Sequence, residues 1–273
     1  GNGGTAGSTG TAGAAGANGT AGSTGAPDAS ASDAGKSEAG TTDGPLPKFS
    51  FFVTSLVGMK RLSKSANGFG GDLRYGQATG LAGADKICAD LADASLAGAR
   101  AKGWHAFLSV PAIGGAAAVD AIDRIGAGPW YDRIGRLLAQ NKAALLADRP
   151  TGANAAILND LPNEDGVPNH APDPGMPEVD NHHVLTGSTA QGRLYGATAT
   201  CAGWTSTEKS AAGRPRIGFA WPEGGRVNWL SGQDEGGCLA AVNLIQTGGS
   251  DPAVGTVSSG GGYGAIYCFA DVP

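Results

Sequence analysis

The sequence has no excess of positive charge, no long apolar run and few cysteines, methionines or aromatic residues. Nineteen Lys and Arg stand against 24 Asp and Glu, a net charge of −5. That balance excludes a surface built to hold a polyanion, so no nucleic-acid partner is expected. No stretch is apolar for long enough to span a bilayer. No basic segment followed by an apolar one opens the chain, so any signal peptide is expected to have been removed or never present. The four cysteines, Cys88, Cys201, Cys238 and Cys268, include no C-x-x-C pair, which disfavours a zinc ribbon or a thioredoxin-type motif. An even set lying among Trp, Gly and apolar residues predicts two disulfides in an exported protein. Four reduced, buried thiols in a cytosolic protein are the other reading. Three pairings of four cysteines are open at this point.

What is abundant is glycine, 48 residues of 273, with much of the excess before residue 45. Residues 1–46 are almost wholly Gly, Ala, Ser and Thr. Such a segment has too little apolar surface to offset its ordering entropy and is expected to act as a flexible tether. A tether at this end suits a surface protein held by an N-terminal lipid, although the acylated cysteine is not in this sequence. Residues 47–273 are long enough for one well-buried domain.

The organising stretch of that domain is 80–109. Ala84, Ile87, Cys88 and Leu91 fall at i, i+3, i+4 and i+7, the apolar stripe of one helix face. Asp85 is expected in the first helical turn, where it would suit the positive end of the helix dipole, and Gly98 is expected to stop the helix. Trp104, Ala106 and Leu108 then alternate with His105, Phe107 and Ser109 in a strand-like run that Pro111 ends. Other strands are expected at 48–55, 184–187, 200–207, 217–221 and 265–269, with a second helix or helix-plus-turn within 120–147. Residues 67–80 are glycine-rich and read as a crossover into the helix. Residues 154–183 form a long polar excursion. One strand, two helices, then short strands between long loops is an α+β pattern.

The segments G-L-A-G-A-D-K-I-C (80–88), A-F-L-S (106–109), V-L-T-G-S-x-x-x-G-R (184–193), C-x-x-W-T-S (201–206) and I-Y-C-F-A (266–270) resemble, in consistent order, the endostatin-like branch of the C-type-lectin-like fold. More specifically, they are similar to an uncharacterised domain of bacterial secreted lipoproteins. The resemblance implies a mixed, mainly antiparallel sheet with two helices, long loops and nested disulfides, carried over as Cys88–Cys268 and Cys201–Cys238. The calcium-and-sugar tripeptides of true C-type lectins, Glu-Pro-Asn and Trp-Asn-Asp, do not occur.

Three candidate sites follow from residue chemistry. Trp221, Trp229, Gln233 and Asp234 combine aromatic faces with an amide and a carboxylate, the groups that stack on sugar rings and bond their hydroxyls. Trp104 and Trp204, in contrast, are expected in the core. Asn159, Asp160, Asn163, Glu164 and Asp165 cluster side-chain oxygens on one loop, and calcium needs roughly six to eight such hard ligands. They lack EF-hand spacing, and a solvated acidic loop is the alternative. His170, Asp180, His182 and His183 could supply zinc ligands, but adjacent histidines point apart and no H-E-x-x-H helix is present, so surface histidines are expected. No cofactor is required, and calcium is the one ion considered. No G-x-S-x-G elbow or other nucleophile context occurs. The expectation is therefore a secreted or surface-displayed, non-catalytic module whose long loops recognise an extracellular glycan, polymer or protein. A self-associating structural protein and a hydrolase are the competing readings. The second would need a pocket with convergent titratable groups.

Overall fold

The computed structural model describes residues 46–170, 181–209, 213–222, 228–244 and 255–273. The chain divides into Gly1–Asp43 and Gly44–Pro273, and every described residue belongs to the second unit. Residues 1–45 of the expected tether and Asp180 lie outside the described residues.

The core is organised by the last strand and the long helix. Strand β1 (Phe51–Val53) leads into α1 (Leu56–Ser63), and α2 (Gly80–Ser95) is followed by a 3-10 turn at Ala99–Lys102 and β2 (Trp104–Ala106). Next come α3 (Ala121–Arg124), the hairpin β3 (Trp130–Tyr131) and β4 (Leu137–Ala139), and α4 (Lys142–Leu145). Strands β5 (His183–Leu185), β6 (Arg216–Phe219), β7 (Gln233–Asp234) and β8 (Ala265–Ala270) complete the chain. The main sheet runs β1-β8-β5-β6-β7, with β2 also paired to β8. Every pairing is antiparallel except β5 with β8. The class is α+β with a mainly antiparallel sheet.

β8 is buried along its whole length because it takes partners from both ends of the chain. Phe52 and Ala106 both lie opposite Cys268. The helix α2 begins where Thr79 caps it, its Oγ1 accepting from the Ala82 N–H at 3.2 Å. Its stripe, Ala84, Ile87, Cys88 and Leu91, is fully buried. Asp85 falls in the second turn rather than the first and does different work. Its carboxylate accepts from the Ala106 N–H at 2.8 Å and from Arg124 at 2.7 Å, joining α2 to β2 and α3.

Two disulfides close this core. Cys88–Cys268 joins α2 to β8 across 180 residues, and Cys201–Cys238 closes a 37-residue loop inside it. The pairing is the nested one. Trp104 and Trp204 are buried, their indole N–H groups donating to Ala99 O (2.8 Å) and Ser109 O (2.9 Å).

Two further expectations fail. The region 120–147 is not one helix: Gly126, Gly128, Pro129 and Gly135 interrupt it, and a short hairpin separates two single turns. Residues 200–207 do not form a strand. Cys201, Ala202, Gly203 and Trp204 have φ of 48°, 55°, 71° and 65°, four consecutive left-handed residues. Each non-glycine there costs roughly 1–2 kcal/mol. The disulfide at Cys201 and the burial of Trp204 hold the turn in place.

Candidate ligand-binding groove

The residues expected to bind ligand do not converge. Trp229 is fully buried, donates its indole N–H to Leu145 O at 3.0 Å, and meets Tyr267 edge-on at 5.1 Å. It is a core residue, not a ligand platform. The turn before it fixes that fate, since Asn228 bonds Asp148 and accepts from the Leu230 and Ser231 N–H groups, aiming Trp229 inward. Trp221 is half-buried and stacks on His170 at 4.0 Å with a 12° interplanar angle. The amide nitrogen of Gln233 lies 3.1 Å from His183 Nε2, and Asp234 accepts from Arg216 at 3.1 Å.

The acidic loop also disperses. Asn159 and Asp165 are exposed. Asp160 accepts from the His170 N–H at 3.1 Å, and burial raises its carboxyl pKa. Asn163 Oδ1 accepts from the Asp165 and Val167 N–H groups, shaping the turn. Glu164 points into the protein, where its carboxylate accepts from the Ser55 N–H (2.8 Å) and hydroxyl (2.6 Å). Ser55 in turn caps α1 by accepting from the Gly58 N–H. Burial raises the Glu164 pKa against those hydrogen bonds. Among the described residues no group of three or more His, Cys, Asp or Glu could hold a metal ion.

His182 and His183 are buried rather than on the surface. His182 stacks on Phe219, and His183 Nδ1 lies 2.5 Å from Glu235 Oε1. Glu235 is itself buried, its other oxygen accepting from the Ser259 hydroxyl and the Gly260 N–H. The two imidazoles do not point apart: they meet edge-on at 4.2 Å, and both pack against Phe219.

A site does form where the sequence offered only a glycine-rich crossover. Between α1 and α2 the chain lines an open groove of about 570 Å³ with Phe69, Asp72, Arg74, Tyr75 and Gln77, and Thr207 closes one side. Its backbone is set by the inner disulfide. The Gly71 N–H donates to Cys238 O at 2.9 Å, and the Leu73 N–H donates to Trp204 O at 3.0 Å. Gly70, at φ 66°, passes so close to the chain after Cys238 that a Cβ would lie 2.7 Å from Ala240 N. Tyr75 is held left-handed at φ 43°, an uncommon state for an aromatic residue and one found at functional turns.

The side chains are pre-arranged. Arg74 grips Asp72 through two bonds of 2.9 and 2.5 Å, a bidentate pair. The Arg74 hydrogen bond is the main cause of the lowered Asp72 pKa. Phe69 meets Tyr75 edge-on at 5.5 Å, and Lys86 Nζ sits 4.2 Å from the Tyr75 ring centre. Burial and hydrogen bonding with Asp90 raise the Tyr75 pKa, so the phenol stays protonated. The signal in the sequence was the run D-L-R-Y at 72–75, which sets a carboxylate, a guanidinium and a phenol within four residues.

No protein-family model matches this chain, and no curated protein matches it.

Proposed function

We propose that the protein is a non-catalytic binding module, exported and held at the cell surface or released, that recognises an extracellular glycan, polymer or protein. The groove at 69–77 supports this reading, and of the three classes its chemistry favours a glycan. Sugar rings offer apolar C–H faces beside planar arrays of hydroxyls. Tyr75 and Phe69 supply apolar surface, while Asp72, Arg74 and Gln77 supply fixed acceptors and donors in the same opening. Because Asp72 and Arg74 already neutralise each other, a neutral ligand can bond to both without stranding a charge.

Catalysis is the weaker reading for this groove. A general acid or base works best with a pKa near the operating pH, whereas Arg74 holds Asp72 below the ordinary carboxylate range. The reading involves no calcium: Asp160, Asn163 and Glu164 each accept hydrogen bonds within the protein, which supports a structural part for that loop. Within the α+β class we read the arrangement as C-type-lectin-like, on the strength of the nested disulfides and of β1 lying beside β8. The two disulfides fit an oxidising compartment. No helix among the described residues is long and apolar enough to cross a membrane. A lipid anchor at the N-terminal side of the tether is part of this proposal.

The test is a screen of the full chain against glycan and polymer arrays, with calcium and with chelator. Saturable binding that survives chelation is expected. Absence of binding to any glycan or polymer, together with concentration-dependent assembly, would replace this reading with the structural one.

A further inference from the structure

A second cavity lies behind the groove. Gln77 lines the groove, while its neighbours Ala78 and Thr79 line the second space; Thr207 and Thr205 divide in the same way. We infer that this cavity is a binding site for a compact, uncharged, apolar ligand about the size of a two-ring aromatic.

Its volume is about 290 Å³. That is nearly twice the roughly 150 Å³ apolar cavity that admits benzene, and close to the lower end of small-molecule pockets. Leu81, Val110, Ile113 and Val119 give it aliphatic walls, and among the described residues no charged side chain lines it. The two threonine hydroxyls on the rim are already engaged. Thr79 Oγ1 accepts from the Ala82 N–H, and Thr205 Oγ1 donates to Ala202 O. A charged ligand would lose its hydration here without compensation, so the lining selects an uncharged one.

The walls come from two unusual pieces of backbone. One is a hairpin at 110–119, closed by reciprocal bonds between Val110 and Val119 and between Ile113 and Ala116. The other is the left-handed turn Cys201–Trp204, held in its strained conformation by the inner disulfide and the buried Trp204. Gly203 lets the two meet, because a Cβ there would lie 2.6 Å from Ile113 Cδ1. Ile113 nevertheless remains 48% exposed. Among the described residues no large side chain fills the cavity, and an apolar occupant would cover that isoleucine.

The test is a fluorescence titration of 2-naphthol into the full chain. Saturable one-to-one binding is expected, weakened about tenfold or more in both Ala117→Trp and Ala78→Trp. These exposed positions line the cavity from the hairpin and from the segment preceding α2, and circular dichroism confirms that each variant folds. The inference is overturned by absence of saturable binding, or by affinity unchanged in both variants. It is also overturned if the wild type forms a dimer that Ala117→Trp abolishes, since the occupant would then be a second copy of the chain.

Discussion

A Cβ placed on Gly71 would lie 2.5 Å from the Sγ of Cys201, so the loop that carries the groove rests directly on the inner disulfide. No side chain fits between them. Gly71→Ala is therefore expected to force the loop away from Cys201 and to destabilise the domain by about 1–3 kcal/mol, the usual range for overpacking. Chemical denaturation of the variant beside the wild type measures this, and an unchanged midpoint would show that the contact is slack.

The two disulfides should differ in what their removal does. In the chain-entropy account the 180-residue loop of Cys88–Cys268 contributes about 5 kcal/mol and the 37-residue loop of Cys201–Cys238 about 4 kcal/mol. The difference in location is larger than the difference in energy. Replacing Cys88 and Cys268 by serine is expected to lower global stability with the groove intact in the remaining folded fraction. Replacing Cys201 and Cys238 is expected to loosen the groove selectively, seen as faster amide exchange at 70–75.

The buried contact between His183 and Glu235 gives a third expectation. His183→Ala would leave the buried Glu235 side chain, among the described residues, with the Ser259 hydroxyl and the Gly260 N–H as its remaining partners. Leaving a buried hydrogen-bonding group short of a partner costs about 1–3 kcal/mol. A melting temperature within a degree or two of wild type would refute the assigned role.

Much of this architecture is legible in the sequence, and the illegible parts share a cause. The stripe Ala84, Ile87, Cys88 and Leu91 declares α2 because helical periodicity is local. The apolar run 265–269 declares β8 because a strand buried on both faces is continuously apolar. Residues 200–207 mislead because Thr and Trp favour strands, while a distant cysteine and the core behind Trp204 impose a left-handed turn. Trp229 misleads for a related reason. Its polar neighbours suggest a surface, but Asn228 and Asp148, 80 residues apart, turn the indole inward. The groove is hidden because its loop has almost no periodicity: Asp72, Arg74 and Tyr75 are neighbours in sequence, but the loop's path is set by distant contacts of Gly71 and Leu73 with Cys201, Cys238 and Trp204.

A pH dependence follows from His105. Its pKa is raised above 6.5, chiefly by the Asp85 carboxylate 3.6 Å from Nδ1, with Asp271 at 3.2 Å from Nε2 adding to the effect against partial burial. A folded-state pKa above the unfolded value stabilises fully below pH 6.5 and less as pH rises through the folded pKa. His105→Gln is therefore expected to cost more stability at pH 5.5 than at pH 8.5. The pair is partly exposed, which keeps the difference to about 1 kcal/mol or less. Asp85 works in the opposite sense. Burial favours its neutral form, but bonds from His105 and Arg124 outweigh burial and lower its pKa. Its contribution is present above pH 3.8 and is lost as pH falls through the depressed value. Urea unfolding at the two pH values checks the sign for His105.

The most direct test of the binding role is calorimetric titration of the array-identified ligand into four single variants. Tyr75→Ala and Arg74→Ala are expected to weaken binding about tenfold or more, while Gln233→Ala and Asp234→Ala leave it unchanged. Undiminished affinity in the first two variants, with loss in the second two, would contradict the assignment of the groove.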